Sequence, residues 1–188
     1  MKHTLLIVPG LGDSTAGHWQ DNWLQHFPNT KKVVQHNWSQ PQLKDWLENL
    51  DTTIKSIETP IVIVAHSLAV SLVMHWSQQN DTSKIIGALL VAPADVESAE
   101  HTPEEVWNFA PIPLEQLNYP SIVITSSNDP YISDNRAEFL AQKWGSEFYN
   151  VGPKGHLNLA SQLGLWEEGQ EILGFLFQII IEKKVTNK

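Results

Sequence analysis

Ile61-Val62-Ile63-Val64 sets four β-branched residues in a row, so a strand built from them has no polar face. Such a strand must be covered on both sides, which is the situation of a parallel sheet between helices. Short runs of similar character recur at Thr4–Val8, 33–36, Ile85–Val91, Ser121–Thr125 and 147–151. Segments of helical period lie between them. The expected class is therefore α/β, with a mostly parallel central sheet and helices on both faces.

Over 41–57, Leu43, Trp46, Leu47, Leu50, Ile54 and Ile57 form one apolar stripe, and Ser39-x-x-Gln42 with Pro41 predicts its start. Over 134–144, Ala137, Leu140, Ala141 and Trp144 share one side, between a capping Ser133 and a terminating Gly145. A last helix is predicted over 166–182, with Lys183 and Lys184 where positive charge suits the helix dipole. The segment 92–119 differs, since its prolines break any long helix and loops of this length are usually functional. With 188 residues there is room for one well-buried domain, expected over 1–182, followed by a short polar tail at 183–188.

Composition removes several function classes. A net charge of −9 disfavours nucleic acid and anionic membrane as partners, because both need a basic surface. The absence of cysteine excludes disulfides, thiolate catalysis and cysteine metal sites. The histidines are scattered without a His-Glu-x-x-His, so neither a metal nor a cofactor is expected. Gly12-x-x-x-x-Gly17 is followed by His18-Trp19 where a phosphate-binding loop needs Lys-Ser/Thr. Only four consecutive apolar residues precede Pro9, too few for a signal peptide, and the expected compartment is the cytoplasm.

Ala65-His66-Ser67-Leu68-Ala69 directly follows the 61–64 run and has the shape of a nucleophile elbow, with alanines in place of the two glycines of Gly-x-Ser-x-Gly. A serine hydroxyl becomes nucleophilic only when a base takes its proton and a third group holds that base. Asp129 lies just past the 121–125 run and His156 just past the 147–151 run, in the order Ser…Asp…His. Asp134 and Asp95 are alternative acids; Asp129 is preferred because it sits nearest a strand end. Acyl transfer also needs donors for an oxyanion. The N–H of Leu68 is one candidate, and the N–H of Leu11 or Gly12 in "PGLGDSTAGHW" is the other. His66 reads as a packing or orienting residue, Asp13, Trp19 and Trp23 as possible site shapers or core, and Trp107 and Phe109 as candidate pocket walls.

The blocks "VPGLGDSTAGHWQDNW", "AHSLA", "FAPIP", "SSNDPY" and "GHLNLASQLGLWEEG" together resemble the small bacterial serine hydrolases related to retinoblastoma-binding protein nine. The resemblance runs from Leu5 to Phe177. It implies a compact α/β-hydrolase without a separate lid domain, with Ser67 as nucleophile, Asp129 as orienting acid and His156 as base. Ala69 stands where that family commonly has glycine. The Leu-x-Cys-x-Glu motif cannot occur without cysteine, so no retinoblastoma-type partner is implied. The expected activity is hydrolysis of small carboxylic esters or related acyl compounds through an acyl-serine. The alternatives are an amidase or aminopeptidase on the same triad, and a catalytically silent fold that binds a ligand or protein.

Overall fold

The computed structural model describes residues 2–186 and gathers the apolar runs into one six-stranded sheet. The strands are β1 (Thr4–Val8), β2 (Thr30–Lys32), β3 (Ile61–His66), β4 (Ile85–Val91), β5 (Ser121–Thr125) and β6 (Glu147–Asn150). Their order is β2-β1-β3-β4-β5-β6, and every neighbouring pair is parallel. The helices are α1 (Trp19–His26), α2 (Leu43–Lys55), α3 (Leu68–Gln79), α4 (Asp134–Trp144) and α5 (Glu167–Thr186).

Packing explains why the central strands lack a polar face. Ile61, Ile63 and Ala65 of β3 join a core with residues of α2, α3 and α4, while Val62 and Val64 join a second core with α1 and α5. Each fully buried valine or isoleucine contributes about 1.5–3 kcal/mol relative to exposure. Helices therefore cover both faces, as predicted, and no separate lid domain is present among the described residues. None of the described helices is long and apolar enough to cross a membrane.

Three local expectations need correction, and one helix had none. The second strand is Thr30–Lys32, not 33–36: Val33 is buried and its N–H still bonds the Ile7 carbonyl, but Val34 is exposed. An edge strand is specified by pairing on one side only, so β-branched content is a poor guide there, and the exposed Lys31 sits on this edge. Helix α1 lacks a predicted counterpart; its signal was Trp19 and Trp23, four apart and both buried. Ser39-x-x-Gln42 does not cap α2. Gln42 is its N-cap without a side-chain bond, and the Leu43 N–H donates instead to Asn108 Oδ1 at 2.8 Å. The last helix continues to Thr186, so 183–186 are helical rather than a tail, and 187–188 lie outside the described residues.

The 92–119 segment is tied down. Its 3₁₀ turn, Glu104–Phe109, buries Phe109 edge-on against Trp46 with ring centroids 5.6 Å apart. Besides the Asn108 cap, Arg136 of α4 pairs with Glu97 and lies 3.4 Å from Asp95.

The topology also locates the crevice. From β1 the chain moves outward through α1 to β2, then returns past β1 to β3, and α3 departs on the opposite face from α1. Connections leaving the carboxyl ends of β1 and β3 therefore diverge, and such switch points are where open α/β sheets place ligands.

Candidate active site

Ser67 is the single residue between the last position of β3 and the first of α3, at φ 60° and ψ −126°. This conformation is strained for a residue with a Cβ, and it lifts the hydroxyl off the sheet. Its own N–H is anchored to the Val91 carbonyl at 2.9 Å. Ala65 and Ala69 are fully buried on either side, so alanine suffices where glycine is usual. The crowding falls instead on Gly10. A Cβ there would lie 2.8 Å from Ser67 Cβ and 2.9 Å from the His66 carbonyl oxygen.

His156 sits on the loop after β6, and Asp129 on the loop after β5. Both Asp129 oxygens lie near His156 Nδ1, at 2.9 and 2.8 Å, and His156 Nε2 lies 2.7 Å from Ser67 Oγ. A carboxylate only accepts, so Nδ1 carries the proton and Nε2 accepts the serine O–H. Asp129 Oδ1 also accepts the Tyr131 N–H at 2.9 Å. The other two acids are elsewhere: Asp134 accepts from Asn150, and Asp95 faces Arg136.

The two loops are tied to each other. Asn128 Oδ1 accepts the Gly155 N–H at 2.7 Å, and Ser126 Oγ accepts the Lys154 N–H at 2.8 Å. They are also tied to the elements beside them. His66 Nε2–H donates to the His156 carbonyl at 2.9 Å, and Trp19 Nε1–H donates to the Leu157 carbonyl at 2.7 Å. His66 is thus an orienting residue, while Trp19 and Trp23 belong to the core that backs the site.

Of the proposed oxyanion donors, Gly12 is corrected. Its N–H donates to the Trp38 carbonyl at 2.9 Å and is not available. The Leu68 N–H, at the first position of α3, has no acceptor one turn back. The Leu11 N–H is the remaining candidate on the facing loop.

These groups open on a cleft of about 540 Å³ whose apolar walls include Leu11, Ala94, Val106, Tyr131 and Leu159. Trp107 and Phe109 are not among them. Phe109 is core, and Trp107 lines a separate depression with Val96, Glu97 and Ala99. The aromatic wall is Tyr131, with its ring centroid 4.4 Å from that of His156. Asp13 reaches the cleft too, held by Lys32 at 2.6 Å.

His18 and His66 complete a row of rings with His156, at centroid distances of 5.2 and 4.9 Å. Burial pushes the His18 imidazole down from 6.5 to about 4, helped by electrostatic repulsion from His156 and Lys32 and opposed by Asp13. Burial also holds His66 well below 6.5, with His156 and His18 adding. Both rings are neutral in the folded protein near pH 7. In the unfolded chain they take up protons below about 6.5, so the unfolded state binds more protons there and stability falls with pH. For His18 that loss is roughly 1.4 kcal/mol per pH unit from 6.5 down to about 4. The urea midpoint should therefore drop between about pH 7 and about pH 5, and drop less in His18→Asn. Equal drops would show that His18 does not titrate in this window.

A family model described as serine hydrolase matches residues 5–174. A search of curated proteins finds no significant match. Among solved structures, the chain is similar to one described as a YdeN-like hydrolase from Pectobacterium atrosepticum. The identity is 32% and the TM-score 0.84, covering 95% of this chain and 92% of that one. It is also similar to the ydeN gene product of B. subtilis, at 19% identity and TM-score 0.75, covering 95% and 100%. Est1E from Butyrivibrio proteoclasticus follows at 13% identity and TM-score 0.69, covering 94% and 89%. The last two are likenesses of fold.

Proposed function

The chain belongs to the serine hydrolase family, and on that premise we propose that it cleaves small carboxylic esters or related acyl compounds with Ser67, His156 and Asp129 as a catalytic triad. The observation that carries the reading is the unbroken hydrogen-bonded chain from Ser67 Oγ through His156 to Asp129.

In this reading, His156 Nε2 takes the Ser67 proton as Oγ attacks the substrate carbonyl. The oxyanion that forms is met by the Leu11 and Leu68 N–H groups, and Asp129 stabilises the imidazolium. His156 then gives its proton to the leaving alcohol, and water attacks the acyl-serine by the same route. The same machinery would accept an amide with a different leaving group. The compartment proposed for this activity is the cytoplasm.

Labelling with a fluorophosphonate probe followed by peptide mapping tests the proposal. Ser67 should be the modified residue. Ser71, one turn further along α3, is buried with its hydroxyl directed at the Phe109 carbonyl. Label on Ser71, or none on the folded protein, would overturn the enzyme reading in favour of a silent binding fold.

Two further outcomes follow from the geometry. Gly10→Ala pushes a methyl into Ser67 Cβ and the backbone of the elbow, where no flexible side-chain end can yield. It should destabilise the fold by about 1–3 kcal/mol. Displacing the elbow against its oxyanion donors should lower kcat/KM on the order of 10²-fold, measured on a folded fraction verified by thermal melt. The second outcome concerns acyl length. Each methylene buried in the cleft is worth about 0.8 kcal/mol, or roughly fourfold in kcat/KM, until the chain reaches solvent. Across p-nitrophenyl esters from acetate to palmitate the optimum should fall at about two to four carbons, because the cleft is open. With 92–119 tied to α2 and α4, no rate jump is expected at the micellar threshold. A long-chain optimum would contradict this.

A further inference from the structure

His18 has a use that the triad does not absorb. It is the N-cap of α1, and its Nδ1 accepts the Gln20 N–H at 3.1 Å. That fixes the tautomer, since an accepting nitrogen carries no proton and the ring hydrogen must sit on Nε2. Only 4% of the residue is exposed, and what remains open faces the cleft that holds Ser67, which His18 helps to line. No acceptor for Nε2–H lies among the described residues: the contacts of this ring are the Gln20 cap, a tilted contact with Trp19 and an edge-on contact with His66. This donor therefore opens on the cleft and is free to meet an acceptor that enters it.

We propose that His18 is a specificity-determining residue, whose Nε2–H donates to a neutral oxygen on the acyl part of the substrate. This rests on the serine hydrolase reading and deepens it: the preferred substrates are small esters of acids that carry an ether, hydroxyl or keto oxygen near the scissile carbonyl. The donor is held rigidly by the helix cap. As an uncharged N–H it brings no net charge to hold an anion, and the Lys32 ammonium beside the cleft is already paired with Asp13. The apolar walls Val106 and Leu159 take the rest of a short chain.

The test uses isosteric pairs in which one methylene becomes oxygen: p-nitrophenyl methoxyacetate against butyrate, and 3-methoxypropionate against pentanoate. Each ratio of kcat/KM is divided by the same ratio for hydroxide hydrolysis, which removes intrinsic reactivity. In the wild type at least one corrected ratio should favour the oxygen ester by about five- to tenfold, the scale of one neutral hydrogen bond. His18→Asn keeps a good helix cap but withdraws the donor, and should bring that ratio to near one. His18→Gln reaches about as far as Nε2 and should retain most of the preference. Turnover without preference in the wild type, or a preference unchanged in His18→Asn, overturns the role of His18 while leaving the hydrolase reading intact. Failure to turn over any ester, with no fluorophosphonate label on Ser67, overturns both.

Discussion

Ser67→Ala should lower kcat/KM for any ester substrate by about 10⁶-fold while leaving the fold unchanged or slightly more stable. The variant removes the proposed nucleophile, the hydroxyl that lies 2.7 Å from His156 Nε2. Residual rate would come from water acted on by the remaining donors. The stability expectation has a separate origin: Ser67 sits at φ 60°, and alanine carries the same strain without a hydroxyl to desolvate. Activity against p-nitrophenyl acetate and a thermal melt measure the two together. A variant that retains a tenth of the activity would mean that another group forms the acyl intermediate.

Asp129→Asn should cost about 10⁴-fold in kcat, with the melt nearly unchanged. The neutral amide can present an N–H to His156 Nδ1, which favours the tautomer with its proton on Nε2, the atom that has to accept from Ser67. The Tyr131 N–H can still find the amide oxygen, so the turn that Asp129 organises is kept. Asp134→Asn is the control. Asp134 stands at the start of α4 beside Asn150, away from His156, and its loss should change kcat by less than about threefold. The reverse pattern would move the acid to α4.

Much of this architecture is legible in the sequence because its determinants are local. Thr4–Val8, Ile85–Val91 and Ser121–Thr125 are observed with the predicted bounds, since a strand buried on both faces must be apolar at nearly every position. Helix α4 carries its own start and stop in Ser133 and Gly145, and both act as such. The candidate triad was readable because its three residues follow three strand ends, and parallel strands bring those ends to one edge. What was not readable depends on contacts between distant segments. Asn108, not Ser39, caps α2. The Trp38 carbonyl decides which glycine-loop N–H is left for an oxyanion. Trp107 and Phe109 lie on the right loop, but the loop's path turns one into the core and the other away from Ser67. His18 is an unusual helix cap, and only the closeness of its ring to His66 and the cleft marks it out.

The open mouth of the Ser67 cleft also bears on the fate of an acyl group once it is attached there. With 92–119 anchored and no separate lid domain among the described residues, an acyl group on Ser67 would stay open to solvent. Transfer to a second alcohol or amine requires that water be kept away while the acceptor waits. Here the acceptor would have to compete with solvent that enters by the same mouth. The architecture thus biases partitioning toward the free acid, so synthetic acyl exchange would need the water activity of the medium itself to be lowered.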